Sequence, residues 1–423
     1  MSIRMATFVA LAVGACAHAR AQPTPATISL DEASTRVERN HPALAGFAAT
    51  RDVLSAEAEL AALRPSPRLG LDIENALGSG SASGFDGAEL SFGLGSVIER
   101  GGKRPARVAV AERRREALAS AEDAKRLDLL AEVARRYLDL VAAQAEETIA
   151  GDAVAQRTHT LRATKRRFDA GASPASVHLA AQAELARANL ELVRAQQAQA
   201  AAALRLAIMW GGNDAIGLRA DMATPFIPTV PAFADIDGLL ATTPELRRYA
   251  DEERLREARV QLARSEAHAD IEWRVGVRRL QATDDWGLVG SVTLPLGTRP
   301  RAAFAIRAAE AEREAVRHER EAGLLDLRSV LAEAHARLNA RALEANHLRD
   351  EVIPRFDAAA AAAERAFRAG AASQLEWSQL QAETTTLKRQ QLAATVEAQR
   401  ALIEIQRLTG HAFGATAQRT STP

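Results

Sequence analysis

The strongest constraint on this chain is that one structural plan is written into it twice. Asn40-His41-Pro42-Ala43-Leu44 opens one helical stretch, and Thr242-Thr243-Pro244-Glu245-Leu246 opens another half a chain later. Phe168-Asp169-Ala170-Gly171-Ala172-Ser173 returns as Phe367-Arg368-Ala369-Gly370-Ala371-Ala372-Ser373, and the helix ends Met209-Trp210-Gly211 and Leu408-Thr409-Gly410 keep the same offset. Self-similarity of this kind marks a supersecondary unit that is repeated and stacked. Each unit reads as helix, two strands, very long helix, glycine turn, long helix. The first repeat spans 28–212, with a β-hairpin at 68–98 and a helical hairpin at 103–212. The second spans 239–410, with a β-hairpin at 270–296 and a helical hairpin at 299–410. Between them a segment at 213–238, punctuated by Pro225, Pro228 and Pro231, reads as a connector. A flexible tail is expected over 411–423.

Lys103 to Phe168 contains no proline after Pro105, and apolar or small residues recur at Leu127, Leu130, Ala134, Tyr137, Val141, Ala145 and Thr148. Leu324, Leu327, Leu331, Ala334, Leu338, Ala342, Ala345, Leu348 and Val352 repeat the pattern. Steps of three and four are a coiled-coil seam. Such a helix runs to about 100 Å at 1.5 Å per residue, so the helices must form a rod or a tube. Composition agrees: 47% of residues are hydrophobic, but only 11 Phe, 4 Trp and 2 Tyr supply rings. Ala-rich and Leu-rich helices packed along their length need few aromatics, whereas a compact core uses many. The turns at Gly171 and Gly370 are short, so each long helix doubles back antiparallel.

Four short stretches alternate strictly. Leu69, Leu71 and Ile73 interleave with Arg68, Gly70, Asp72 and Glu74; Leu90, Phe92 and Leu94 interleave with Glu89, Ser91, Gly93 and Gly95. Trp273, Val275 and Val277 alternate with Glu272, Arg274, Gly276 and Arg278, and Trp286, Leu288, Val292 and Leu294 share a parity. Each run is of bilayer-crossing length, although a soluble sheet with one wet face has the same period. Four strands do not close a barrel and lipid tolerates no open sheet edge, so a spanning version requires further chains. The segments Gly78–Gly84 and 282–285 are small and polar, as turns outside a membrane are. Trp273, Trp286 and Phe85 read either as part of an interfacial girdle or as packing residues.

The 54 basic and 54 acidic residues balance, so no net field attracts nucleic acid. Arg4, the apolar run Ala6 to Ala15 and Ala19-Arg20-Ala21 read as a secretory signal peptide over 1–21. Alternatively Val13-Gly14-Ala15-Cys16 is a degenerate lipobox that leaves Cys16 lipidated. Cys16 is the only cysteine, so disulfides and thiolate chemistry are excluded beyond it. The histidines are dispersed without metal-ligand spacing, and no nucleophile elbow, phosphate loop, dinucleotide fingerprint or zincin motif occurs. No catalytic residue, cofactor or metal site is expected, and transport energy would come from a partner.

Leu63-Arg64-Pro65-Ser66-Pro67, Ile73-Glu74-Asn75, Gly84-Phe85-Asp86-Gly87, and above all Ile98-Glu99-Arg100-Gly101-Gly102-Lys103-Arg104 followed by Arg107-Val108-Ala109-Val110-Ala111-Glu112 complete the pattern. With the repeat, they resemble the TolC-like outer membrane factors, and within them the CzcC-type branch that serves heavy-metal efflux. The resemblance covers Ile28 to Gly410. It implies an α+β membrane fold in which a homotrimer closes a twelve-stranded barrel in the Gram-negative outer membrane, contacts outer-membrane lipid, and extends a helical tunnel into the periplasm. A periplasmic adaptor (membrane fusion) protein and an inner-membrane RND pump are the implied partners. The family's tip motif falls on Phe168, Gly171 and Ser173 and on Phe367, Gly370 and Ser373, although both glycines are equally accounted for as helix-ending turns. The family's acidic constriction falls on Glu376 and Gln379. A ring of Glu376 carboxylates would favour cations, while the neutral Gln379 departs from the two-acid pattern and an ordinary solvated charge explains Glu376 as well. Gly101, Gly102, Lys103 and Arg104 form the barrel-to-helix junction. The second copy keeps the family's proline there as Leu294-Pro295-Leu296-Gly297; the first lacks it, and Gly101-Gly102 takes over the task.

Three functions compete at this point: a passive duct for heavy-metal cations, the same duct for drugs or type I secreted polypeptides, and a periplasmic coiled-coil scaffold without a pore.

Overall fold

The computed structural model describes residues 27–212, 215, 217–222, 224–411 and 413. The signal segment with Cys16, and the tail apart from His411 and Phe413, lie outside the described residues. In chain order the elements are β1 (Thr27–Ile28), α1 (Leu30–Asn40), α2 (Pro42–Ala62), β2 (Arg68–Glu74), β3 (Glu89–Ile98), α3 (Lys103–Asp169), α4 (Ala175–Ile208), β4 (Arg219–Ala220), α5 (Phe233–Asp237), α6 (Pro244–Glu266), β5 (Ile271–Leu280), β6 (Asp285–Thr293), α7 (Thr298–His347), α8 (Ile353–Ala369) and α9 (Gln374–Thr409).

The repeated X-X-Pro motif has a local cause. Pro42 and Pro244 occupy the first helical turn, where no amide partner is lost. The preceding residue caps: His41 Nδ1 accepts from the Ala43 amide at 3.1 Å, and Thr243 Oγ1 accepts from the Leu246 amide at 3.4 Å. The long helices begin alike too, each after a left-handed glycine, Gly102 with φ 77° and Gly297 with φ 79°.

Four antiparallel strands form one sheet in the order β2-β3-β5-β6, so the two hairpins join through β3 and β5. The helices continue that order. α2 leads into β2, β3 into α3, α6 into β5 and β6 into α7; α2 packs on α3, α3 on α6 and α6 on α7. The result is a wall of strands above a wall of helices, open at the same two edges. On those edges α2 has no buried residue and exposes Val53 and Leu60, with Leu63 exposed just past its end, while α7 exposes Phe304, Leu325 and Val330. No described helix is long and apolar enough to cross a membrane.

Helix α3, 67 residues long, is the spine. It buries two stripes rather than one seam. Val133, Tyr137, Leu140 and Val141 join Val37 of α1 and Ala203 and Leu206 of α4, whereas Ala131, Ala134 and Leu138 meet Val396 and Ile403 of α9. Of the expected seam, Ala134, Tyr137, Val141 and Ala145 are buried, Leu127 and Leu130 are half-buried and Thr148 is exposed. A helix shared by both repeats needs the second stripe. In the second repeat Leu331, Ala334, Leu338 and Ala342 pack on Ala398, Ala401, Ile405 and Leu408.

The connector is strapped to the middle of the rod. β4 pairs in parallel with β1, and Gln144 brackets Ala220 by accepting from its amide at 2.6 Å and donating to its carbonyl at 3.4 Å. Further along, Arg328 clasps Asp237 at 2.6 and 2.8 Å. The second helical hairpin is not continuous: a π-turn at Leu348–Val352 separates α7 from α8. Pro354 lies two residues beyond it, in the first turn of α8. It has no N–H to donate back and its ring crowds the carbonyl four residues earlier, which a wider turn relieves.

Candidate functional site

The sheet sorts its side chains by chemistry. Leu71↔Phe92↔Val277↔Leu288 lie directly opposite one another across all four strands, flanked by Leu69↔Leu94↔Val275. This apolar face is bare: Leu288 is 87% and Leu71 61% exposed. Trp273 closes the band at its helix end and Trp286, opposite Arg279, at its loop end. They are six residues of strand apart, about 20 Å. At the loop end Arg279 lies over the Trp286 ring at 5.9 Å and pairs with Asp284 at 2.6 Å.

The other face is polar and cross-braced. Arg274 pairs with Asp72 at 2.6 Å, and Arg278 bridges Glu74 at 3.0 Å and Glu89 at 2.6 Å while donating to Ser91 at 2.9 Å. Glycines make room for this. A Cβ on Gly70 would overlap the Arg274 guanidinium, and one on Gly276 would sit 2.5 Å from the Phe92 carbonyl oxygen.

The junction motif is a knot below the sheet. Lys103 Nζ pairs with Asp270 Oδ2 at 2.7 Å, the Arg100 amide donates to Asp270 Oδ1 at 3.0 Å, and Arg107 makes a two-pronged pair with Glu99. Burial raises the Asp270 carboxyl, but Lys103 and the Arg100 amide outweigh it and hold the group below its ordinary value. The hydrogen bond from Arg107 does the same for Glu99. Gly101 and Gly102 both have positive φ, 73° and 77°, and a Cβ on Gly101 would reach the His268 ring at 2.5 Å. Arg104 is exposed and has no ion-pair partner among the described residues. In the second copy β6 stops two residues before Pro295, as removal of a ladder donor requires.

At the far end, the two tips share backbone and differ in side chains. Gly171 (φ 68°) and Gly370 (φ 80°) each end a helix, with Ala172 N–H donating to Arg167 C=O at 2.8 Å and Ala371 N–H to Ala366 C=O at 2.9 Å. Phe168 is 40% exposed and stacks on His178, ring centroids 5.7 Å apart. Phe367 is 4% exposed, packed on the buried Trp377 and covered by Arg167, which also donates to its carbonyl at 2.6 Å. Ser173 is half-buried in the first turn, while Ser373 caps α9 by accepting from the Glu376 amide at 3.1 Å.

Glu376 and Gln379 are exposed one turn apart at the start of α9. Ser373 and Glu376 have capping-box spacing, a local reason for a carboxylate there; the helix N-terminus also favours it. Neither side chain has a hydrogen-bond or ion-pair partner among the described residues. Among those residues no group of three or more His, Cys, Asp and Glu converges to hold a metal. Sequence reasoning missed Arg274, Arg167 and Trp377; the glycine row opposite Arg274 was the one available signal.

Residues 34–212 match the family model described as Outer membrane efflux protein. The cobalt-zinc-cadmium resistance protein CzcC of Cupriavidus metallidurans is 27% identical over 274 residues, 64% of this chain and 65% of that protein. The nickel and cobalt resistance protein CnrC of the same organism is 27% identical over 288 residues, 66% and 67% of the two chains. The match thus spans about two thirds of the curated relatives. Among solved structures, the channel-forming protein CusC aligns with a TM-score of 0.74 at 15% identity, covering 90% of this chain and 92% of that one. The fold is that of the TolC-like channels.

Proposed function

We propose that this chain, which carries an Outer membrane efflux protein domain over residues 34–212, is the outer-membrane exit duct of a tripartite RND-type efflux system and passively conducts heavy-metal cations out of the periplasm. The sheet carries the reading: a bare apolar face bounded by Trp273 and Trp286, backed by a charged face, with unpaired edges at β2 and β6. That arrangement suits a strand layer with lipid on one side and water on the other, closed by further copies. In the homotrimer each β6 pairs with the next copy's β2, and α7 covers the next copy's apolar α2. Twelve strands then close the barrel and the helices wall a periplasmic tunnel.

Charge on the inner wall is mostly compensated by the Arg274 and Arg278 pairs, so ions pass without being trapped. The Phe168, Gly171, Ser173 and Phe367, Gly370, Ser373 tips contact the periplasmic adaptor, and Glu376 with Gln379 lines the narrow entrance. The inner-membrane pump supplies the energy; the chain performs no catalysis of its own and needs no cofactor. Metal cations are favoured as cargo by the metal-resistance relatives CzcC and CnrC. Growth of a deletion strain on graded cobalt, zinc and cadmium, beside dyes and detergents, tests this. Metal tolerance is expected to fall and return with the gene; sensitivity to dyes alone would make the duct a drug exporter.

A further inference from the structure

The chain as a whole is neutral, but the tip of the first helical hairpin is not. Between Arg162 and His178 it places Arg162, Lys165, Arg166 and Arg167 against the single carboxylate Asp169. At the second tip Glu364 and Glu376 balance Arg365 and Arg368. Spacings of three and four put Arg162, Lys165, Arg166 and Asp169 on one face of α3, all exposed, opposite the buried Ala163 and Thr164. Arg167 is turned inward onto Phe367, and Lys165 is paired with Asp169 at 2.9 Å. Arg162 and Arg166 have no carboxylate within ion-pair distance among the described residues. Beside them the Phe168–His178 stack and Leu179, 60% exposed, make an apolar step.

Two guanidinium groups one turn apart repel each other and hold no part of this fold together. Arginine's planar fork is suited to carboxylates, and paired with exposed rings it has the composition of a protein-binding hot spot. We propose that this face docks a periplasmic protein through a segment of that partner bearing exposed carboxylates, with the Phe168–His178 stack as its apolar seat. The proposal rests on the exit-duct reading, which places the tip in the periplasm, and adds the chemistry of the partner and the hairpin that holds it. The second tip, with its phenylalanine buried and its charges balanced, offers a partner neither an exposed ring nor a net charge.

Two synthetic helical-hairpin peptides, identical except for glutamates or lysines at the turn, serve as probes against the full-length protein in detergent. The glutamate peptide is expected to bind at least tenfold more tightly at 50 mM salt, with the difference shrinking as salt rises. Arg162→Glu with Arg166→Glu should reverse the preference and Phe168→Ala should weaken glutamate-peptide binding, while the same charge change at Arg39 and Arg320 should leave both unaltered. Circular dichroism and size-exclusion chromatography confirm that each variant is folded. Equal binding of the two peptides, or a preference that survives the reversal, overturns the proposal. Channel conductance in a planar bilayer is read on the same preparation: if it persists while the preference is absent, the docking proposal falls and the duct stands.

Discussion

Arg274 on β5 reaches Asp72 on β2, two strands away, at 2.6 Å, by lying across Gly93 and Gly70. The glycines of the polar face are therefore not equivalent. Gly70→Ala displaces only the tip of a flexible side chain and breaks an exposed pair, a loss of about 1 kcal/mol or less. Gly276→Ala pushes a Cβ against the Phe92 carbonyl and the Gly93 backbone, which have nowhere to move. Heat-modifiability on a gel should show Gly70→Ala assembling normally and Gly276→Ala failing to form a heat-resistant barrel.

The junction knot makes stability acid-sensitive. Asp270 and Glu99 are both held below their ordinary values, so their contribution is complete above those values and is lost as pH falls through the depressed ones. Thermal midpoints measured from pH 7 down to pH 3 should drop more steeply below about pH 5 in the wild type than in Asp270→Asn, which has already lost the Lys103 pair at neutral pH. Parallel curves for the two proteins would contradict this.

Arg407 ties α9 to α6 and α3 at mid-rod, pairing with Glu404 of its own helix at 2.8 Å, Glu245 at 3.0 Å and Asp128 at 3.2 Å. Its neighbours hold its pKa above the ordinary value despite burial. Arg407→Met leaves the half-buried Glu404 with Arg135 alone, at 2.8 Å, and is expected to cost about 1–2 kcal/mol in denaturant unfolding. Adding Glu404→Gln should cost more again, because it also takes the carboxylate away from Arg135.

Much of this was legible in the sequence because periodicity and repetition are cumulative signals. The strand dyads, the glycine turns and the two-copy plan each involve many residues, and errors at single positions average out. Individual contacts are different. Phe168 and Phe367 occupy equivalent places in the repeat, yet one is exposed and the other lies under Arg167, because only the second hairpin has Trp377 to pack against. Arg274 read as one more wet residue of a strand, since its partner lies two strands away in space and in the other repeat. The π-turn was signalled by Pro354 alone, and a proline announces a break without saying of what kind.

Glu376 carries the proposed entrance ring. Replacing it with Gln should reduce the preference for cations over anions and weaken block by divalent ions, with conductance retained; the capping role of Ser373 is untouched, so folding should be unaffected. Unchanged selectivity would reduce Glu376 to a solvated charge near a helix N-terminus.

In the proposed function, copies of this chain close a water-filled pore through a bilayer. Planar-bilayer recording of the purified protein, in asymmetric salt so that the reversal potential reports selectivity, tests it most directly. Discrete conductance steps with a cation-selective reversal potential are predicted. A protein that is folded and membrane-inserted yet gives no steps, even under conditions that open related ducts, would contradict the account.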